Sequence, residues 1–255
     1  MNYGLIGEKL GHSFSKPIHE RLADYQYEIT PLTREEFKEF MVKKEFKAIN
    51  VTIPYKSDVI PYLDTLDEKA EEIGAVNTIV NCSGKLKGYN TDFYGFLYTL
   101  KHNDIHITGE KVLVLGNGGA AKAVIAVLNF LGAKEIIIVK YKKTPGVVTY
   151  EECLELHRDA KFIINTSPVG MYPNIDISPI DLSYYPECSG VIDIIYNPLE
   201  TRLLKQAKDL GMTAVNGLEM LIAQAKYAVE IFLDKEMDDD VIEDIYIDFI
   251  KTMNS

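Results

Sequence analysis

The sequence predicts an α/β protein with two domains. Short apolar runs alternate with segments of helical periodicity along most of the chain, and a glycine-rich turn near residue 116 opens a second series of such alternations. Strands that alternate with helices usually pair in parallel through right-handed crossovers. A chain of 255 residues is long enough for two domains of modest size.

The composition argues against nucleic acid, membranes and metal ions as partners. The net charge is −11, which disfavours nucleic acid, because nucleic-acid binding depends on Lys and Arg contacts to phosphates. No apolar run approaches the roughly 18 residues of a membrane span, and the N-terminal segment lacks a basic, then apolar, signal pattern. We therefore expect a cytoplasmic protein without membrane contact. Cys82, Cys153 and Cys188 are far apart, so we expect free, at least partly buried thiols and no metal site.

The first hundred residues contain alternating elements that end in a hairpin. The predicted strands cover residues 3–7, 26–32 and 46–54. The predicted helices cover residues 17–25, 33–44, 57–74 (with a break at Pro61) and 93–103. Thr33 and Glu36 form a capping-box pattern, and Ser83-Gly84 marks the turn of a hairpin within residues 76–92.

A second series of elements begins near residue 107. The predicted strands cover residues 111–116 and 134–141, and strands followed by loops cover 160–171 and 189–198. The predicted helices cover residues 119–133, 149–159 and 201–212, and the chain is almost wholly helical from Gly217 onward. Gly132 is expected just beyond the end of its helix, where a left-handed residue is favoured.

The stretch "KVLVLGNGGAAKAV" predicts a dinucleotide-binding turn of the Rossmann type. Gly116 and Gly118 directly follow a strand, and Ala121 stands where a third small residue is needed. The first glycine makes the tight turn, the second lets a pyrophosphate approach, and the small third residue lets helix and strand pack closely. The helix N-terminus offers N–H groups to the phosphates.

The residues after the second strand of this series indicate which dinucleotide binds. An acid there holds the ribose 2′-OH of NAD, whereas a basic side chain accommodates the 2′-phosphate of NADP. Lys140, Lys142 and Lys143 occupy these positions and no acid does. Their charge favours NADP over NAD, although three solvated surface lysines would give the same pattern.

Several blocks together resemble the shikimate dehydrogenase family, in the order in which the family has them. These blocks are "GHSFS", "NVTIPYK", "AVNT", "GYNTDFYGF", "GNGGAAKA", "NTSPVGM", "DIIYNPLETRLL" and "GLEMLIAQA". The resemblance implies a shikimate-binding domain of residues 1–100 and 217–255 and an NADP-binding Rossmann-type domain of residues 101–216. It further implies the reversible, NADP-dependent oxidation of shikimate to 3-dehydroshikimate, in the shikimate pathway of aromatic amino-acid biosynthesis. The sequence leaves open a monomer or a homodimer.

The resemblance also implies roles for individual residues. Lys56 and Asp92 match the catalytic pair. The residues that match substrate contacts are Ser13 and Ser15 for the carboxylate, Thr52, Asn77 and Gln224 for the ring hydroxyls, and Tyr196 at the pocket. The residues that match cofactor contacts are Gly116, Gly118, Gly119, Ala120, Lys140, Lys142, Met171 and Gly217.

The residue types of the pair suit this chemistry. Oxidation of an alcohol requires removal of the hydroxyl proton, and a lysine can exchange that proton and stabilise a developing alkoxide. Burial would lower the pKa of Lys56 whereas the Asp92 carboxylate would raise it, so the sequence leaves the direction open. Serine hydroxyls can hold a carboxylate without a buried cation.

The chain departs from the family pattern in three places. Lys16 stands where proline commonly follows the second serine. Lys140, Tyr141 and Lys142 replace the usual Asn-Arg-Thr, so the phosphate meets no planar guanidinium, and Tyr141 could instead stack on adenine. Only about twenty residues separate Tyr141 from the next strand, and a parallel crossover needs a dozen or more. We therefore predict that one strand-helix unit is missing, or is reduced to residues 147–149.

Two other functions remain open from the sequence. One is an enzyme of the same superfamily that takes quinate or uses NAD, against which the missing acid argues. The other is a non-catalytic protein that binds a shikimate-like acid, which the shortened cofactor domain favours and the intact Lys56 and Asp92 disfavour.

Overall fold

The computed structural model describes residues 1–11 and 13–253, and the chain forms two compact units. The first unit contains the residues up to Phe96 and those from Leu221 onward, and the second contains Leu97–Met220. Each unit has its own sheet with helices against it. The predicted α/β class with two domains is confirmed.

The elements follow each other in the order that the sequence predicts, with two additional strands. The strands are β1 Tyr3–Gly7, β2 Tyr27–Pro31, β3 Ala48–Val51, β4 Thr65–Leu66, β5 Thr78–Cys82, β6 Lys85–Tyr89, β7 Lys111–Leu115, β8 Glu135–Val139, β9 Phe162–Asn165, β10 Gly190–Asp193 and β11 Thr213–Val215. The helices are α1 Ser15–Leu22, α2 Arg34–Lys43, α3 Glu68–Ile73, α4 Thr91–His102, α5 Gly119–Phe130, α6 Tyr150–Leu156, α7 Arg202–Asp209, α8 Leu218–Leu233 and α9 Asp240–Met253.

The sheet of the first unit has six strands in the order β2-β1-β3-β5-β6-β4. β1 pairs in parallel with β2 and β3, whereas β5 runs antiparallel to both β3 and β6. One face packs on α2, where the rings of Phe37 and Tyr55 stack with centroids 4.2 Å apart. The other face buries Tyr27 together with Phe232 of α8. Burial of each such side chain contributes roughly 1.5–3 kcal/mol.

Local signals that the sequence predicted are present in the first unit. The Thr33 side chain accepts a hydrogen bond from the Glu36 N–H, and the Glu36 carboxylate accepts one from the Thr33 N–H, which completes the capping box of α2. Ser83 and Gly84 both have positive φ, 54° and 90°, as a tight two-residue hairpin turn requires. The hairpin of β5 and β6 is therefore confirmed.

The predicted helix over residues 57–74 is largely wrong. A 3₁₀ turn forms at Ile60–Tyr62, β4 follows, and only α3 is α-helical. Asp67 caps α3 by accepting hydrogen bonds from the N–H groups of Lys69 and Ala70. β4 exists because Thr65 pairs with Lys87 of β6, a non-local contact that periodicity does not reveal. β11 was also not predicted.

The sheet of the second unit has five parallel strands in the order β11-β10-β9-β7-β8. β8 forms the edge where a further strand-helix unit would follow. In its place residues 144–147 turn, with Gly146 at φ 74° and the Val147 N–H bonded to the Thr144 oxygen at 3.1 Å. A single parallel bridge joins Val139 to Val148. In the described residues, the segment that was predicted to be shortened thus contains only this bridge and no further strand.

Other sequence expectations concern cysteines, metals and membranes. Cys153 and Cys188 are buried, but Cys82 is exposed at the end of β5, contrary to the expectation. Within the described residues, no group of three His, Cys, Asp or Glu side chains could hold a metal ion. No helix in the same part of the chain has both the length and the apolar character to cross a membrane.

Candidate active site

Lys56 and Asp92 form a largely buried ion pair in the first unit. Lys56 follows β3, and Asp92 lies in the first turn of α4, directly after the hairpin. Lys56 Nζ lies 2.6 Å from Asp92 Oδ2, and the two side chains are only 14% and 9% exposed. The structure thus brings together two residues that are 36 positions apart in the sequence.

Asn77 and Gln224 extend this group. Asn77 Nδ2 lies 3.0 Å from Asp92 Oδ1, the carboxylate oxygen that Lys56 does not contact, and 3.4 Å from Gln224 Oε1. Gln224 Nε2 in turn donates to the Leu221 carbonyl oxygen of α8. Four of the predicted site residues therefore form one hydrogen-bonded cluster.

The serines and Thr52 lie in the same unit. Ser15 is buried as the first residue of α1, and its N–H donates to Ser13 Oγ at 3.2 Å. Thr52 is half-buried after β3, where Gly7 leaves it room: a Cβ on Gly7 would lie 2.6 Å from Thr52 Cγ2. Among the residues that the structure describes, no side-chain hydrogen bond joins these three residues to the Lys56–Asp92 pair.

The glycine turn of the second unit has the features of a phosphate cradle. Gly116 has φ 105°, and a Cβ there would lie 3.0 Å from Thr166 Oγ1, so only glycine fits. Gly118 precedes α5 without a side-chain cap, and a Cβ on it would meet nothing within 4 Å. Gly119 and Ala120 are the first two residues of α5. Uncapped N–H groups at a helix start, open to approach, fit the pyrophosphate of a dinucleotide.

Comparison with known proteins identifies the family. A family model described as the shikimate dehydrogenase substrate binding domain matches residues 5–79. Over 267 aligned residues, the chain is 43% identical to the shikimate dehydrogenase (NADP(+)) of Clostridium beijerinckii, with 96% of each chain covered. The chain belongs to the shikimate dehydrogenase family.

Two solved structures of high similarity cover almost the whole fold. A chorismate mutase/shikimate 5-dehydrogenase fusion protein from Clostridium acetobutylicum has a TM-score of 0.93 at 38% identity, over 99% of this chain and 98% of that one. Quinate dehydrogenase from Corynebacterium glutamicum in complex with NAD has a TM-score of 0.85 at 27% identity, over 97% of this chain and 99% of that one. The same fold thus occurs in a shikimate dehydrogenase and in a quinate dehydrogenase. Of these two structures, the shikimate dehydrogenase is the more similar to this chain in sequence.

Lys140 and Lys142, which were predicted to contact the cofactor, follow β8 next to the glycine turn. Lys140 directly follows β8, and the Gly116 N–H bonds to the Val139 oxygen at 2.9 Å. Lys140 is half-buried and Lys142 is exposed. In the described part of the chain neither ammonium has an acidic partner within ion-pair distance, whereas Lys143 pairs with Glu152. Lys140 and Lys142 are therefore available to an anion, and Lys143 is not.

The remaining predicted site residues of the second unit, Met171, Gly217 and Tyr196, differ in their exposure. Met171 is 45% exposed after Gly170, which has φ 95°. Gly217 is in close backbone contact, since a Cβ there would lie only 2.0 Å from the Ile194 oxygen. Tyr196 is half-buried, and burial raises the pKa of its hydroxyl. Tyr196 belongs to the second unit, whereas the Lys56 cluster belongs to the first.

Two groups of buried polar residues were not predicted. Thr78 and Thr91 surround the Asn77 amide, with their hydroxyl oxygens 3.0 and 2.9 Å from its Oδ1 and Nδ2. Asp193, at the end of β10, is wholly buried and accepts hydrogen bonds from Asn165 and Thr201. The sequence signal for the threonines was their position directly beside Asn77 and Asp92.

Proposed function

We propose that this chain catalyses the reversible oxidation of shikimate to 3-dehydroshikimate with NADP as the hydride acceptor. The observation that carries the proposal is the buried Lys56–Asp92 pair. The second carboxylate oxygen of Asp92 accepts a hydrogen bond from Asn77. The 43% identity to a relative named shikimate dehydrogenase (NADP(+)) supports the same substrate and cofactor. In this proposal the first unit holds shikimate and the second holds NADP, with boundaries near residues 100 and 217.

Lys56 exchanges the proton of the reacting oxygen. In the direction of reduction, its ammonium donates a proton to the ketone oxygen while the carbonyl carbon receives a hydride, so that an alcohol and a neutral amine result. Oxidation reverses both transfers: the amine takes the hydroxyl proton as the hydride leaves the carbon. The bound cofactor would accept the hydride in its oxidised form and donate it in its reduced form. A positioned acid or base of this kind contributes about 10²–10⁴-fold to a rate.

Asp92 and its neighbours orient the lysine and the substrate. The carboxylate holds Lys56 Nζ at 2.6 Å and so fixes the direction in which its remaining protons point. Asn77 and Gln224 offer amide groups to ring hydroxyls from positions beside the pair, and Thr52 adds a hydroxyl. Ser13 and Ser15 offer hydroxyls to the substrate carboxylate without a cation. Tyr196 is a further proposed substrate contact.

The residues of the second unit fit NADP. Gly116, Gly118, Gly119 and Ala120 would hold the pyrophosphate at the start of α5. Lys140 and Lys142 would neutralise the 2′-phosphate. Met171 and Gly217 are proposed to line the same cofactor site.

A second candidate function is the oxidation of quinate with NAD, which the fold of the Corynebacterium glutamicum quinate dehydrogenase favours. The lysines after β8 argue against NAD, because no acid stands there to bind the ribose 2′-OH. We further expect the enzyme to act in the cytoplasm, as a monomer or a homodimer.

The test crosses two substrates with two cofactors and follows the absorbance of the reduced nicotinamide. We expect turnover with shikimate and NADP to exceed the other three combinations. Lys56→Ala should lower kcat by about 10²–10⁴-fold and leave shikimate binding, measured by calorimetry, nearly unchanged. Lys69→Ala is the matched control, because Lys69 is also mostly buried and paired, with Glu72 at 2.7 Å.

The outcomes separate the candidates. Faster turnover of quinate with NAD would replace the proposal by the second function. Binding of shikimate without turnover in any combination would indicate a non-catalytic binding protein. An unchanged rate in Lys56→Ala would remove Lys56 from the mechanism.

A further inference from the structure

A chain of buried polar side chains crosses the core of the first unit and ends on Asp92. It consists of Tyr27, Asn50, Thr78 and Asn77, which we call the buried array. All four side chains are buried. Buried polar groups are costly unless they are hydrogen-bonded, and a fully connected set specifies one arrangement.

The orientation of the Asn50 amide follows from a main-chain group. Asn50 Nδ2 lies 3.2 Å from the Asn77 carbonyl oxygen, which can only accept a hydrogen bond. The amide nitrogen must therefore face that oxygen, and Oδ1 faces the Tyr27 hydroxyl at 2.7 Å. Because Oδ1 only accepts, Tyr27 is the donor.

The orientation of the Asn77 amide follows in the same way. The Thr91 N–H lies 2.7 Å from Asn77 Oδ1, and a main-chain N–H can only donate. Oδ1 therefore faces Thr91, which leaves Nδ2 on the side of Asp92 Oδ1 at 3.0 Å.

Thr78 connects the two amides. Its Oγ1 lies 3.0 Å from Asn50 Nδ2, which donates to it, and 3.0 Å from Asn77 Oδ1, which accepts from it. The hydrogen bonds of the buried array thus run in one direction, from Tyr27 through Asn50, Thr78 and Asn77 to the Asp92 carboxylate. The Thr91 hydroxyl, 3.1 Å from Thr78 Oγ1, supports the same junction.

We propose that Thr78 is a positioning residue for the proton transfer, which acts by fixing the Asn77 amide and through it the Asp92 carboxylate. This inference rests on the proposed function. Without the Thr78 hydroxyl, Asn50 Nδ2 loses an acceptor and Asn77 Oδ1 loses a donor. The Asn77 amide is then held by Thr91 alone at Oδ1, so its position is less tightly fixed and Asp92 presents a less fixed oxygen to Lys56. A misplacement of about 1 Å at a reacting group costs on the order of 10²-fold in rate.

The kinetic test compares Thr78→Val with Thr78→Ser. Thr78→Val keeps the shape but removes the hydroxyl, and it should lower kcat by about 10²-fold with an unchanged KM for NADP. Thr78→Ser keeps the hydroxyl and should recover most of kcat. Thr99→Val is the control, since Thr99 is equally buried further along α4 but lies outside the buried array. A wild-type kcat in Thr78→Val, or equal losses in Thr78→Val and Thr78→Ser, would overturn the proposal.

A second measurement does not depend on turnover. In a crystal structure of Thr78→Val, we expect Asn77 Nδ2 to have left hydrogen-bond distance of Asp92 Oδ1, whereas in Thr78→Ser the contact stays. An unmoved amide in Thr78→Val refutes the positioning role. If the wild-type chain turns over neither substrate, the proposed function fails, and these two structures still decide whether Thr78 positions Asp92.

Discussion

Replacing Asp193 by asparagine should remove a pH dependence of stability that this residue imposes on the fold. Asp193 is fully buried and has no cationic partner among the described residues. Its carboxylate accepts hydrogen bonds from Thr201 Oγ1 at 2.7 Å, Asn165 Nδ2 at 3.0 Å and the Ile195 N–H at 3.1 Å. Burial raises the pKa of Asp193 from its ordinary 3.8 to about 6, and these hydrogen bonds only partly oppose the rise.

The sign and size of the effect follow from linkage. Between pH 4 and 6 the folded state retains the Asp193 proton that the unfolded state has lost, so stability is greatest below this window and falls as pH rises through it. A pKa difference of about two units corresponds to about 3 kcal/mol. Asparagine does not ionise, so the stability of Asp193→Asn relative to wild type should rise by most of that amount between pH 4 and 7.

Urea unfolding followed by circular dichroism from pH 4 to 8 measures this difference, in which the contributions of the other titrating groups cancel. Asp181→Asn is the control: a hydrogen bond from the Ser183 N–H lowers the pKa of Asp181, so its difference from wild type should not rise over the same range. A flat difference for Asp193→Asn, or one that falls as pH rises, would refute the reasoning.

Two further predictions concern the cofactor unit. Gly217→Ala places a Cβ 2.0 Å from the Ile194 oxygen, and thermal unfolding should show a loss of at least about 1–3 kcal/mol. The double variant Lys140→Gln/Lys142→Gln should raise the KM for NADP about tenfold, which corresponds to about 1.4 kcal/mol of lost phosphate binding, and leave the KM for NAD unchanged in steady-state assays.

Matched residues provide the controls. Gly11→Ala should be nearly neutral, because a Cβ there meets nothing within 4 Å and its φ is not positive. Lys143→Gln should leave the KM for NADP unchanged, because Glu152 already pairs with Lys143. Equal stability of the two alanine variants would contradict the contact argument at Gly217. Equal effects of the lysine changes on NADP and NAD would identify Lys140 and Lys142 as solvated surface residues.

Much of the fold could be predicted because its signals are local. The capping box at Thr33, the hairpin turn at Ser83 and the glycine turn at Gly116 each depend on a few adjacent residues. The missing strand-helix unit could be predicted from chain length alone, since the residues after Tyr141 cannot form two crossovers. The two-residue strand β4 could not, because only its pairing with β6 makes it a strand.

From the sequence, the candidate site could be proposed as a set of residues but not as a geometry. The motifs named Lys56 and Asp92, yet their 2.6 Å contact depends on how β3 and α4 meet in the fold. Thr78 could not be predicted as a site residue because threonine is common in β-strands. Only the structure shows that Asn50 donates a hydrogen bond to its hydroxyl. Asp193 was missed because its burial depends on three separate segments that close around it.

The shortened second sheet has a consequence for self-association. β8 is its outermost strand, and the unpaired main-chain groups of such a strand can recruit another chain and start aggregation. Here the strand has only five residues, begins at the exposed Glu135 and is followed by Lys140. Val148 occupies the main-chain groups at its far end, with the Lys140 N–H bonded to its oxygen at 3.0 Å. The bridge at Val148 therefore shields the far end of this edge from intermolecular strand pairing.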